Sequence, residues 1–265
     1  MLNDITIGQY FPGRSLLHRL DPRTKIAGTL LFITAIFFAE SYLAYGILFL
    51  WTAALIAMSG VPVRLVLKSL KPLWLIVVLT LGIHIFTTPG NVIYQIGPLT
   101  ATKEGLRQGL LMAARLVLLI AVSSLLTFTT SPIALTDGIE RLLNPFKRFG
   151  LPAHELAMMM TIALRFIPTL LEETDRIMKA QMARGADFAS GNILRRAQNM
   201  VPLLVPLFIS AFRRADELAT AMEARCYRGG QHRTRMKELR LASRDYIALV
   251  AVVALLVILV VLRYY

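Results

Sequence analysis

Residues 246–262 read YIALVAVVALLVILVVL, a run without a single charge that is closed by Asp245 on one side and Arg263 on the other. Its length approaches the roughly 20 apolar residues that carry a helix across a bilayer. Toward the N-terminus, further uncharged stretches cover 26–39, 41–63, 73–102 and 116–136, each with a strongly apolar block. The reading is an all-α polytopic membrane protein with about five transmembrane helices. Composition agrees, since 56% of the 265 residues are hydrophobic and 17% are charged, against roughly half and a quarter in soluble chains. Lysine and arginine number 29 against 16 acidic residues, and a chain both apolar and basic suits phospholipid headgroups or an acidic partner better than nucleic acid. The lone Cys226 excludes an intrachain disulfide and a zinc site built from several cysteines.

The block Ile26–Ala39 is short enough to be a core helix. Lys25 and Glu40 can extend their charges to the two surfaces, and Tyr42–Ser59 follows at once, so the pair reads as a tight transmembrane hairpin. A cleaved signal fits poorly, because Asp4, Arg14, Arg19, Asp21, Arg23 and Lys25 precede the block. Asp21-Pro22 supplies an N-cap and a first turn. Basic loops stay cytoplasmic, and nearly all Lys and Arg fall in 1–25, 60–71 and 129–244, leaving Lys103, Arg107 and Arg263 for the other side. That predicts a multi-pass cell-membrane protein with its N-terminus in the cytoplasm and its C-terminus outside. The chain divides into a cytoplasmic N-terminal segment 1–25, a four-span membrane domain 26–128, a cytoplasmic helical domain 129–244 and a final transmembrane helix 245–265. Crossings at 156–171 or 199–212 would export Arg176, Lys179, Arg184, Arg195 and Arg196, so partial embedding in the inner leaflet is the reading there.

Within 129–244, Leu156, Met159, Met160, Ala163, Ile167, Leu170 and Leu171 recur at helical spacing with charges interleaved. A second amphipathic helix begins near Leu194 and runs through Leu204, Phe208 and Phe212 to Met222, bent by Pro202 and Pro206. Spanning Glu155–Arg184 and Leu194–Arg225, each would reach about 45 Å. A shorter helix, Pro132–Leu143, is started by Ser131. A shift of 41 residues matches Asp175 with Asp216, Ile177 with Leu218, Ala180 with Ala221, Ala183 with Ala224 and Arg184 with Arg225. A basic residue in a last helical turn favours the dipole by about 0.3–1 kcal/mol and needs no partner. Two in matched contexts instead suggest plugs for a partner with two similar sockets. Ala183 and Ala224 permit close approach, and Arg184 and Arg225 can each pair with a carboxylate bidentately.

Gly8-Gln9-Tyr10, His18-Arg19-Leu20-Asp21-Pro22-Arg23-Thr24-Lys25, Ala183-Arg184-Gly185, and Ala221-Met222-Glu223-Ala224-Arg225 continuing to Tyr227-Arg228-Gly229-Gly230 together resemble the T component of energy-coupling factor transporters, including the related cobalt-transport subunits. The resemblance covers nearly the whole chain. It implies a non-catalytic coupling subunit of an importer for vitamins or metal ions. In such an importer Ala183, Arg184, Gly185, Ala224, Arg225 and Cys226 enter grooves on two cytoplasmic ATP-binding-cassette ATPases. A membrane-embedded substrate-binding S component docks on the apolar face of the coupling helices, here Met159, Met160, Ala163, Ile167, Leu204, Phe208 and Phe212. No cofactor is expected on this chain, with ATP and Mg in the partner subunits. The second motif departs from the first by carrying Cys226 where the first has Gly185, which matters if the backbone there needs glycine.

Other sites are weaker. The chain has no Gly-Lys dipeptide and hence no P-loop of its own, and His154-Glu155 lacks the second histidine of a zincin, which would stand at Met158. No metal site is expected. His84 within the third span reads as a neutral packing residue rather than a ligand. Arg115 either extends to the outer interface or meets another helix or the S component. Met158, Met159 and Met160 suit an adaptable docking surface or a buried stripe equally. A stand-alone secondary carrier lacks paired hydropathy halves here, a membrane enzyme lacks a catalytic constellation, and a scaffold with no transport role would co-purify with chains lacking nucleotide-binding motifs.

Overall fold

Asp21 starts the first helix, α1 (Pro22–Phe38): its backbone is extended, its carboxylate accepts the Arg23 N–H at 2.9 Å, and Pro22 takes the first turn, where its missing N–H costs nothing. In this computed structural model residues 10–96, 99–186, 188, 192–229 and 239–264 are described. Among them, contacts group 10–139 with 239–264 in one unit and 140–229 in another. Gly8, Gln9 and Gly230 of the sequence motifs lie outside the described residues.

The first unit continues with α2 (Tyr42–Ser59), α3 (Val63–Leu70), α4 (Trp74–Thr87), β1 (Val92–Ile96), β2 (Leu99–Thr102), α5 (Lys103–Thr129), most of α6 (Pro132–Leu143) and, after the second unit, α9 (Ser243–Tyr264). Phe32 and Ile36 of α1, Tyr45 and Leu48 of α2, Leu118 and Val122 of α5, and Leu255 and Leu259 of α9 form one buried cluster. Trp74, Leu75, Val78 and Leu79 on α4 and Ile247 and Val250 on α9 are exposed instead, as lipid-facing side chains of membrane helices are. Helices α2, α5 and α9, the continuous stretch Val63–Thr87, and α7 (Ala153–Ala183) of the second unit are each long and apolar enough to cross a membrane.

That set differs from the one expected. Helix α1 has 17 residues, about 26 Å of rise against a hydrocarbon core of about 30 Å, and it is stabilised by packing in the cluster. The uncharged stretch 73–102 is not all helix: Thr87-Thr88-Pro89-Gly90 ends α4, and β1 pairs antiparallel with β2, Ile96 opposite Leu99. A strand without charges adds to an apolar run as readily as a helix does.

Of the charges at the helix ends, Lys25 departs from its expected place, and Arg115 takes the second of its two alternatives. Lys25 turns inward, donating from Nζ to the Thr129 carbonyl at 2.8 Å and to that of His18 at 3.3 Å. Glu40 accepts from Arg263 at 2.7 Å. Arg115 reaches neighbouring helices rather than the interface. Its Nε donates to the Tyr45 hydroxyl at 3.2 Å and its Nη2 to the Ala39 carbonyl at 3.4 Å. There the cation meets the negative end of the α1 dipole.

Close packing of α4 on α5 depends on small residues. Gly105, Gly109 and Ala113 recur every fourth position and are buried, the small-xxx-small pattern that lets membrane helices approach. A Cβ at Gly105 would stand 2.5 Å from the His84 carbonyl oxygen and 2.9 Å from that of Ile85. Both are backbone atoms that cannot swing away. Gly105→Ala is therefore expected to cost about 1–3 kcal/mol by overpacking, read as a lower thermal midpoint in detergent. Gly109→Ala meets its neighbours at 3.1 Å and should cost less.

Candidate functional site: two arginine-tipped helix ends

The second unit is built on α7 and α8 (Ile193–Ala224), of 31 and 32 residues, with Pro168 inside α7 and Pro202 and Pro206 inside α8. Their ends are the same structure twice. After α7, the Arg184 N–H bonds the Gln181 carbonyl, Gly185 bonds Met182 and Ala186 reaches back to Gln181, each at 3.0 Å. After α8, Arg225 bonds Met222 at 3.1 Å, Cys226 bonds Glu223 at 2.8 Å and Tyr227 reaches back to Met222 at 3.1 Å. Donor for donor and acceptor for acceptor, the second set lies 41 residues beyond the first. Both are Schellman ends, which need a left-handed residue just past the cap. Gly185 supplies it with φ 88°, and Cys226 with φ 56°.

The reservation attached to Cys226 is thereby resolved: it takes the glycine conformation. Among the described residues it is the one non-glycine with positive φ. A left-handed residue with a Cβ costs about 1–2 kcal/mol, and glycine would return about 0.4–1 kcal/mol of that through a freer unfolded chain. Cys226→Gly should thus tighten this end by on the order of 0.5–1 kcal/mol, seen as slower hydrogen exchange of the Tyr227 amide. Gly185→Ala should loosen the other end.

Three contacts set the course of the helices. Gln181 Nε2 donates to the Pro202 carbonyl at 3.4 Å, Arg214 Nη2 meets Glu173 Oε2 at 3.3 Å, and the Tyr227 hydroxyl donates to Met158 Sδ at 3.1 Å. Each advance along α8 matches a retreat along α7, so the pair is antiparallel and its arginine ends point apart. Glu173 and Arg214 are themselves 41 residues apart, so the ion pair joins a residue to its own counterpart in the repeat and marks a local two-fold. Arg184 and Arg225 each lie eleven residues beyond it, about 16 Å along either helix.

Ala183, Arg184, Gly185, Ala224, Arg225 and Cys226 are all exposed. Two separated tips are thus available to a partner, each a cation beside a small residue. Of the apolar residues expected to form a docking face, Met159, Leu204, Phe208 and Phe212 are exposed at 54%, 42%, 59% and 69%, Ala163 is exposed, and Met160 and Ile167 are half-buried. Met200, Val201, Val205 and Ile209 extend the α8 stripe. The methionine triplet is split, with Met158 held by Tyr227 and Met159 open. His154 has a structural partner, its Nδ1 lying 3.1 Å from Glu140 Oε1.

The N-terminal motif serves a different purpose. Arg23 Nη2 donates to the Leu239 carbonyl at 2.6 Å, and His18 Nε2 donates to that of Phe11 at 2.9 Å. The Phe11 N–H in turn bonds the Phe128 carbonyl at 2.9 Å. Asp245, to which the sequence assigns no role beyond closing the apolar run, is 2% exposed and takes the Asp21 N–H on Oδ1 and the Ala242 N–H on Oδ2, both at 2.8 Å. The motif is a latch joining the starts of α1 and α9 to the end of α5. A carboxylate immediately before an apolar run was the available signal for Asp245.

Comparison with known proteins agrees along the chain. Residues 13–236 match the family CbiQ, described as cobalt transport protein. Relatives named "Energy-coupling factor transporter transmembrane protein EcfT" include one from Acidaminococcus fermentans, 61% identical over 264 residues, which cover 100% of this chain and 98% of the relative. Another, from Thermosediminibacter oceani, is 61% identical over 250 residues, or 94% of each chain. That of Bacillus subtilis is 50% identical over 264 residues, covering 99% and 100%.

Proposed function

Since the chain belongs to the CbiQ family of cobalt transport proteins and is a T component of energy-coupling factor transporters, we propose that α7 and α8 are its coupling helices. Arg184 and Arg225, each with its small neighbours, enter grooves on two cytoplasmic ATP-binding-cassette ATPases. An S component that carries the vitamin or metal-ion substrate docks on the apolar stripe of Met159, Met160, Ala163, Ile167, Leu204, Phe208 and Phe212. ATP and Mg belong to the ATPases, and the chain transmits motion without catalysing a reaction. The N-terminus lies in the cytoplasm and the C-terminus outside.

One observation carries this reading: the two helix ends repeat bond for bond about the Glu173–Arg214 pair. Such an end closes about a third to a half of helices, but that does not account for the same Ala-Arg pair at both ends, at 183–184 and 224–225. A pair of similar ATPases presents two equivalent grooves, and two equivalent plugs satisfy both. The rows of exposed Met, Leu and Phe on α8 suit a second apolar surface, where flexible and aromatic side chains adapt to a partner.

Mass spectrometry of the intact complex, purified through this chain, should find two nucleotide-binding subunits and one small integral membrane protein. Partners without nucleotide-binding motifs, or substrate uptake into liposomes by this chain alone, would overturn the assignment.

A further inference from the structure

A cavity of about 380 Å³ opens among α1, α2, α5 and α9 in the first unit. Its walls are almost wholly apolar, with Leu20, Phe32, Leu55, Val122 and Ile247 among them. Two cations, Lys25 and Arg244, line it as well. Both stand in the first turns of their helices, and the bond from the Asp21 N–H to Asp245 places those turns at the same end. The cavity is thus amphipathic, positive at one end and greasy beyond.

Its depth is informative. On α1 the lining runs from Thr24 to Phe32 and on α9 from Arg244 to Val252, about 12 Å on each helix. One leaflet contributes about 15 Å of hydrocarbon. The cavity accordingly follows a lipid tail through most of one leaflet, starting at the headgroup level. Thr24 Oγ1 and Trp51 Nε1 also belong to the lining, and both are buried donors with no hydrogen-bond partner among the described residues. A buried donor left unmet is costly; Thr24, in the first turn of α1, stands at the level of a glycerolipid's ester oxygens, which are acceptors, while Trp51 lies deeper, at the middle of α2.

The neighbouring carboxylates reduce the positive end without cancelling it: Arg23, Lys25 and Arg244 stand there against Asp21 and Asp245, with Asp245 holding two backbone N–H groups and Asp21 the Arg23 N–H and guanidinium. Neither lines the cavity. Lys25 spends two donors on carbonyls and keeps a third, and the Arg244 side chain is on an exposed residue.

The geometry points to a structural phospholipid site: one acyl chain lies in the cavity, and an anionic phosphate headgroup sits between Arg244 and Lys25. The partner is a phospholipid rather than a protein helix, because a cavity of about 380 Å³ has room for an acyl chain but not for a helix about 10–12 Å across, and its mouth is cationic.

Gly28 lines the cavity, and a Cβ built there meets nothing within 4 Å. Gly28→Leu therefore plugs the space from α1 while improving helix propensity, and Ala251→Leu plugs it from α9. The full chain, delipidated and re-exposed to equal amounts of phosphatidylglycerol and phosphatidylcholine, is read by native mass spectrometry. The unmodified chain should retain one phospholipid with phosphatidylglycerol preferred. Arg244→Gln should lose the preference but keep the lipid, and either plug should lose the lipid with thermal stability retained. Retention undiminished in both folded plug variants, equal retention of the two headgroups by the unmodified chain, or occupancy by detergent alone would overturn the site.

Discussion

Replacing both Arg184 and Arg225 by alanine is expected to abolish recovery of ATPase subunits with this chain, while leaving the chain in the membrane. Each guanidinium stands on an exposed residue at a helix tip, so the substitution removes no core contact and the fold should be indifferent to it. What is lost is a charged, bidentate anchor next to a small residue. Truncation of such an anchor in a desolvated groove costs about 2 kcal/mol or more, or about thirty-fold in affinity per site. If the two tips engage one assembled pair of ATPases, as proposed, binding at one raises the effective concentration at the other. Single variants should therefore recover reduced amounts, and the double variant should recover none above background. Lysine at either position should rescue poorly, since an ammonium cannot form the planar two-bond contact. Undiminished ATPase in pull-downs of the double variant would remove the tips from the coupling interface.

Asp245→Ala is expected to be the most damaging single change in the first unit. The side chain is 2% exposed and holds the Asp21 and Ala242 amides at 2.8 Å. Removing it leaves the buried Asp21 N–H unmet, at about 1–3 kcal/mol, and releases the N–H of the exposed Ala242. It also frees the start of α1, because Asp21 is both the cap of that helix and a donor to Asp245. For a chain of this size, about 3 kcal/mol corresponds to a fall of roughly 6–12 °C in the thermal midpoint. Asn can still accept on one oxygen, so Asp245→Asn should recover part of the loss. A midpoint unchanged in Asp245→Ala would show that the latch holds little.

Much of this was legible in the residues, and the limits have physical causes. Ser131-Pro132 marks the start of α6, and the helix runs Pro132–Leu143 as its spacing predicts. The ends of α7 and α8 fall within two residues of the expected ones, because Arg-Gly and Arg-Cys followed by further glycines leave a helix few ways to continue. The repeat was visible too, although the pairing of Glu173 with Arg214 required knowing that the helices run antiparallel. The β1–β2 hairpin escaped notice because Val92, Ile93 and Tyr94 are as uncharged as any lipid-facing helix. Asp245 escaped because its partner lies 224 residues away in sequence. The stripe Gly105, Gly109 and Ala113 can be read as a contact face, but the sequence alone does not say that α4 is the helix it meets.

Cys226 has one more consequence. It is a free, exposed thiol, and it stands at one of two ends whose hydrogen bonds are otherwise duplicates. Of the two ends, the one after α8 alone therefore carries a thiol, at an addressable point. A maleimide dye would report on the α8 end alone and leave the α7 end silent, so, on the proposed function, the order in which two sockets fill would become observable without introducing a foreign residue.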